Sequence, residues 1–246
     1  MQEHAIRAKR DAVRSKARGI IIDTWQSQAN LSLFLMLLVL TAFVLPSIGF
    51  GKENTRLYSN GAFTVLLLSG VAIAWRQRML FIVSALVGAV ALAVRWSAWG
   101  LGTARSELRS DWWTMAAIAV IAIVLLTQIF RPGRVTHVRI QGAIAVYLLF
   151  GIAWAHAFRI TAILHPGSFV FQAGELSTVA DWIYYSFVTL TTVGYGDITP
   201  TAQISRTLAV GEALVGQLYL AVMIARLVAM EIVSWQEKAT ENSAKE

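Results

Sequence analysis

Apolar residues in this chain come in long blocks, separated by short polar stretches. The blocks lie at 31–50, 61–75, 79–94, 112–130, 138–164 and 201–230. Helices crossing a bilayer need runs of about this kind, since roughly twenty apolar residues span the hydrocarbon. The pattern predicts an all-α membrane protein with six transmembrane helices. The second and third blocks are a little short, so flanking Leu57, Arg95 and Trp96 extend them or snorkel. These two blocks form a tight pair joined by Arg76, Gln77 and Arg78. Pro46 sits near the outer end of the first block, where a kink costs little, and 51–60 reads as a short polar loop. A second polar stretch, 97–111, leads into the fourth block, which ends at Arg131-Pro132-Gly133-Arg134. One further apolar segment, 179–190, is too short to span. Thr178 before it, with Asp181 three residues on, has the N-cap pattern of a helix start.

Composition supports the membrane reading and removes several function classes. The chain is 57% hydrophobic and 14% charged, too apolar for a soluble domain of 246 residues. It has no cysteine, which excludes disulfides and cysteine-ligated metals. His4, His137, His156 and His165 are scattered without metal-ligand spacing. No Ser-His-Asp order, phosphate loop or paired carboxylates stand out, so no enzyme and no cofactor is expected.

The net charge of +7 follows membrane topology rather than nucleic-acid binding. Segment 1–30 carries Arg7, Lys9, Arg10, Arg14, Lys16 and Arg18, with Ile6, Val13 and Ile20 every seven residues. Two readings stand: an amphipathic helix on anionic inner-leaflet lipid, or a solvated positive-inside flank. The long basic region and the lack of a small-residue cleavage site exclude a cleavable signal. With the N-terminus inside, inner segments add Arg76, Arg78, Arg131, Arg134 and Arg139, while outer loops hold Lys52, Arg56, Arg95, Arg105 and Arg109. Eleven basic residues against five place both termini in the cytoplasm.

Between the short segment and the last block the chain reads Thr191-Thr192-Val193-Gly194-Tyr195-Gly196-Asp197. A loop that aims successive carbonyls one way must alternate right- and left-handed backbone, and Gly194 and Gly196 supply cheap left-handed positions. Val193 and Tyr195 then point away from the axis, and Thr192 adds a hydroxyl oxygen. The stretch resembles the selectivity filter of tetrameric potassium channels, in which four such loops replace an ion's water shell with carbonyl oxygens. The resemblance is most specific over about 138–235. It implies a homotetramer in a membrane, expected to be a bacterial inner membrane, with passive potassium conduction and potassium as the permeant ligand. Potassium sites fall at Thr192, Val193, Gly194 and Tyr195. The organisation that follows is a basic segment at 1–30, a four-helix unit at 31–130, a pore domain at 138–230 and a cytoplasmic tail at 231–246. A potassium uptake transporter subunit and a non-conducting membrane sensor are the competing readings; a single complete filter weighs against both.

The resemblance assigns further residues. The family carries a hinge glycine 22 residues after the first filter glycine, which is Gly216 here; close packing of a small residue is the other reading. In the same register Gln217, Leu220, Ile224 and Val228 fall on one helical face and line the cavity and inner gate, or pack on neighbouring subunits. Thr191, Trp182, Tyr184 and Tyr185 support the filter. Trp182, Tyr184, Tyr185 and Tyr195 form an aromatic cuff or an interfacial belt. Two departures stand out. Val188 occupies the place of a glutamate found in some members, and Tyr184 replaces a tryptophan, with a hydrogen bond to Asp197 as its expected role. The fourth block has no Lys or Arg over 112–130, which excludes a conventional voltage sensor. Glu212 is the only acid well inside a span. At matching depth His156 is its expected partner, with a neutral acid bonded to a nearby backbone or hydroxyl group as the alternative.

Overall fold

A computed structural model of the chain describes residues 29–44, 52–98, 103–130, 136–172 and 178–243. Seven helices and a two-stranded ribbon account for almost all of these residues. Helix α1 covers Ala29–Val44 and α2 Lys52–Ile73. A short 3-10 turn at Ala74–Arg76 and an extended Gln77 reverse the chain into α3, Arg78–Ala98. Helix α4 is Ala104–Ile129 and α5 is His137–Leu164. Strand β1 (Phe169–Phe171), α6 (Val179–Leu190), β2 (Ile198–Pro200) and α7 (Gln203–Ser243) complete the order. Helices α3, α4, α5 and the Gln203–Val233 part of α7 are long and apolar enough to cross a membrane; Ala29–Val44 and Leu57–Ile73 are shorter apolar helices.

Local chemistry sets these elements. The last turn of α1, Leu40–Val44, widens to a π-helix. There the Thr41 hydroxyl donates to the carbonyls of Leu37 (2.8 Å) and Leu38 (3.0 Å), drawing on backbone acceptors of the preceding turn. Small residues Ser84, Gly88 and Ala91 form the buried stripe of α3, as close-packed membrane helices prefer. Thr103 caps α4 through a reciprocal bond pair with Ser106. Leu31, Phe34 and Leu38 of α1 pack with Leu66 and Leu67 of α2 and with Ile118, Ile121 and Leu125 of α4. Helix α5 is the most deeply buried of the long helices, though Ile140, Ile144 and Leu164 remain exposed. It lies between α4 on one side and α6 and α7 on the other.

Three polar stretches depart from the sequence expectation. Residues 52–60, expected as a loop, begin α2; 104–111, expected as a polar connection, form the first two turns of α4; and 231–243 of the tail continue α7. The cause is common to all three. None contains an internal proline or glycine, so nothing breaks the helix where the apolar run stops. The expectations for the basic segment, for Pro46 and for Arg131 and Arg134 fall on residues outside those described.

Helix α7 meets the rest of the chain along one side only. Glu212, Gly216 and Met223 are buried, and the Tyr219 hydroxyl donates to the Ala143 carbonyl of α5 at 2.8 Å. Further along α7, Arg226 donates to the carbonyl of Phe130, the C-cap of α4, at 2.7 Å and lies 4.3 Å over that residue's ring. The other sides are apolar and exposed, including Leu214, Leu218, Val222 and Ile224.

Candidate functional site

The short helix α6 has the bounds expected from its cap. Thr178 N–H and hydroxyl both donate to Asp181, at 3.1 and 2.8 Å. The amides that follow α6 fold back over its C-terminal end. Thr191 N–H donates to Phe187 O (3.0 Å), Thr192 N–H to Thr189 O (2.9 Å), and Val193 and Gly194 N–H to Val188 O (3.0 and 3.3 Å). Carbonyls that a helix leaves unpaired are thereby satisfied by the loop itself.

This arrangement fixes where the loop's own carbonyls point. In a trans peptide the N–H and the preceding C=O face opposite ways, and the chain has no cis bond among the described residues. Amides of Thr192, Val193 and Gly194 turned toward α6 therefore turn the carbonyls of Thr191, Thr192 and Val193 away from it. The backbone reaches this state through left-handed residues at every second position: Thr192 (φ 60°), Gly194 (φ 59°) and Gly196 (φ 79°). The two glycines do so freely. Thr192 does not, since a β-branched residue in this region costs on the order of 1–2 kcal/mol. Its left-handed state was not expected from the sequence. Strained backbone of this kind is concentrated at functional sites.

Beyond Tyr195 the loop is tied down. Gln172 Nε2 donates to Gly196 O at 3.1 Å, and Gln172 N–H to Asp197 O at 3.0 Å. Strands β1 and β2 pair antiparallel, Phe171 opposite Ile198. The Tyr184 hydroxyl donates to Asp197 Oδ2 at 2.7 Å, as the tyrosine-for-tryptophan replacement predicted. That bond, more than desolvation, pushes the Tyr184 hydroxyl up to about 12. The open row of carbonyls thus ends before Gly196.

The supporting residues divide into two groups. Trp182 and Tyr185 do not join Tyr184 and Tyr195 in a cuff. They are buried against the chain's own Phe158 and Phe169, with ring centroids 4.8–5.6 Å apart. The reason is helical phase: Trp182 and Tyr185 lie one turn apart on the α5 side, and Tyr184 faces away. Tyr195 is 71% exposed and Val193 is 53% exposed, so nothing within one protomer covers them. The Thr191 hydroxyl donates to Phe187 O at 2.6 Å. Val188 contributes its carbonyl rather than its side chain.

On α7, Gly216 approaches the C-terminal end of α6. A Cβ there would lie 2.5 Å from Leu190 O and 2.9 Å from Leu190 Cδ1. The helix runs unbroken through this position. Gln217, Leu220, Ile224 and Val228 are all exposed, on a different side from the residues that pack on α5 and α6.

The Glu212–His156 pair is corrected. His156 Nδ1 meets Asp111 Oδ1 of α4 at 2.9 Å, and Arg159 binds the same oxygen (2.9 Å) and Glu107 Oε2 (2.8 Å). Glu212 instead meets the hydroxyl of Ser186 on α6. Depth along two helices was matched correctly, but His156 lies about 140° around α5 from the position that faces α6. Sequence reasoning missed Glu107, Asp111, Arg159 and Ser186. A signal was present: two acids four apart on α4, and two bases three apart on α5.

One similarity of the chain falls on this site. The family model described as "Ion channel" matches residues 142–232, from within α5 to within α7. "Two pore potassium channel c" of Oryza sativa subsp. japonica is 32% identical over 98 residues, 40% of this chain and 20% of that protein. "Two-pore potassium channel 4" of Arabidopsis thaliana is 33% identical over 94 residues, 38% of this chain and 30% of the relative. "Protein LctB" of Bacillus caldotenax is 40% identical over 67 residues, 27% of this chain and 49% of the relative. The chain therefore spans a fifth to a half of the length of these relatives. No solved structure matches it. Its long apolar helices and the match of 142–232 to the ion-channel model make it an integral membrane protein.

Proposed function

We propose that the chain is one subunit of a homotetrameric potassium-selective pore. The observation that carries this reading is the backbone of 191–196. Alternating left-handed residues turn the Thr192 and Val193 carbonyls off α6, while Gln172 draws the Gly196 carbonyl out of the row. Ion sites then lie at the carbonyls of Thr192, Val193, Gly194 and Tyr195, with the Thr192 hydroxyl at the inner end. One protomer supplies one such row, and a bare ion needs oxygens on all sides, so four copies surround the axis. The exposed apolar sides of α7, with exposed Val193 and Tyr195, are what a fourfold assembly would cover. The names of the plant relatives support potassium as the ion.

In this reading the C-terminal end of α6 lends its negative dipole end to the cavity. Gln217, Leu220, Ile224 and Val228 line the inner pathway, six spans place both termini in the cytoplasm, and conduction is passive. Helix α4 has no basic residue from Trp112 to Ile129, so opening lacks the steep voltage dependence of moving gating charges.

Potassium flux into liposomes carrying the purified protein tests the proposal. Wild-type protein passes potassium over sodium, and Gly194→Ala, which places a Cβ on a left-handed position, abolishes that selectivity. Equal permeability of the two ions in wild type, or unchanged selectivity in the variant, would sink it.

A further inference from the structure

The buried carboxyl group of Glu212 can be assigned a proton by counting hydrogens. Ser186 Oγ of α6 lies 2.6 Å from the Gly151 carbonyl oxygen of α5 and also contacts Glu212 Oε1 of α7. A serine hydroxyl has one proton to give, and a carbonyl can only accept. If Glu212 were a carboxylate, two acceptors would share one hydrogen, leaving two oxygens in contact with nothing between them. Glu212 Oε2 is buried as well and has no hydrogen-bond partner among the described residues. An ionised group in that state carries a desolvation cost far above that of a neutral acid. Supplying the missing proton from the carboxyl satisfies both contacts: Glu212 donates to Ser186, and Ser186 donates to Gly151.

Among the described residues no other donor reaches Glu212 and no counter-charge stands beside it. The titratable groups facing Glu212 are Tyr147 from α5 and Tyr185 from α6, both neutral acids; α7 contributes none among the described residues. His156 and Arg159 are engaged by Asp111 on the far side of α5.

We infer that Glu212 is a neutral carboxylic acid whose proton links α7 to α5 through the Ser186 hydroxyl, and that this two-bond chain seats α6. Packing agrees with that role. Ser186 meets Glu212, and one turn further along both helices Leu190 meets Gly216. Gly151 also admits the Phe187 ring, where a Cβ would lie 2.6 Å from Cζ. The seat thus combines a proton-supplied polar bond with two close glycine approaches. Since the C-terminal carbonyls of α6 orient the amides of 191–194, Glu212 is a positioning residue for the ion-binding row. That consequence rests on the proposed function, whereas the location of the proton does not.

Infrared spectroscopy of the full chain in lipid reads the proton directly. The difference between wild type and Glu212→Gln at neutral pH should contain the carbonyl stretch of a protonated carboxylic acid, shifted by deuterium exchange. Ser186→Ala should keep that band and move it to higher frequency, because the acid loses its acceptor. A difference spectrum showing only carboxylate bands, with no acid band shifted by Ser186→Ala, overturns the assignment even if the protein conducts nothing. Flux tests the positioning role. Glu212→Gln retains an N–H that can donate to Ser186 and should keep potassium-over-sodium selectivity, whereas Glu212→Leu should lower it about tenfold through the lost bond. Equal selectivity in the two variants would leave Glu212 a neutral acid with no part in holding the row.

Discussion

Asp111 of α4 and Glu212 of α7 are both buried acids on apolar helices, and each meets α5 or its neighbour α6, but their partners differ in kind. Asp111 is held by two side chains of α5, the His156 ring and the Arg159 guanidinium. Glu107 (32% exposed) and Arg159 (19% exposed) extend that cluster to the surface of the helix pair. Glu212 has only a hydroxyl, in a setting of tyrosines, small residues and backbone. A charge fastens α4 to α5, and a proton fastens α7 to α5 by way of α6. An ion pair holds a buried acid where the partners can be hydrated at the margin; where they cannot, neutralising the acid is the less costly solution.

The strongest way to break this comparison is to remove Asp111. Asp111→Ala leaves two bases facing an apolar seam and should cost about 3 kcal/mol, seen as lowered thermal stability of the purified protein. Arg159→Ala added to it should cost little more, and strictly additive losses would mean that the two groups do not act as a pair. Gly216→Ala tests the pore side by shape instead of charge. Its Cβ falls within 2.5 Å of Leu190 O, so overpacking of about 1–3 kcal/mol is expected, together with weakened selective flux. Glu212→Gln should cost no more than about 1 kcal/mol, as one neutral hydrogen bond exchanged for another. A loss as large as that of Asp111→Ala would show that Glu212 is charged after all.

The smallest effect belongs to Tyr184→Phe. That bond is open to solvent, so about 0.5 kcal/mol is expected in unfolding measurements. Because the hydroxyl is raised from about 10 to about 12, its contribution is whole below pH 10 and disappears as pH rises through 12. Wild type should therefore lose its margin over Tyr184→Phe only in that strongly alkaline window.

The two regions also differ in how far their sequences could be read. The stretch from α6 to α7 rests on local rules: Thr178 and Asp181 fix the start of α6, and Gly194 and Gly196 mark left-handed backbone. Thr192 escaped because a threonine carries no such mark; its conformation is imposed by amides seeking the carbonyls of α6. Between α4 and α5 the informative contacts are separated by 45 residues or more, as between Asp111 and His156. Depth along a helix can be counted from the chain, but which side a residue presents depends on where its neighbours stand. This is why the sequence leaves two partners open for Glu212, His156 or an unnamed backbone or hydroxyl group, and the structure supplies the hydroxyl of Ser186. Hydropathy also hid the polar ends of α2, α4 and α7, since solvated helical turns look like loops when only apolar residues are counted.

Arg226 gives α7 a mechanical constraint ten residues beyond Gly216. Its guanidinium grips the last carbonyl of α4 while its ring contact with Phe130 adds a second point of purchase. Gly216 lies ten residues away, an arm of about 15 Å along a straight helix. A bend of about 20° at Gly216 would swing Arg226 sideways by about 5 Å, several times what a hydrogen bond can stretch. Were α7 to open in that way, either the grip on Phe130 would have to let go, or α4 would have to travel with it as a lever.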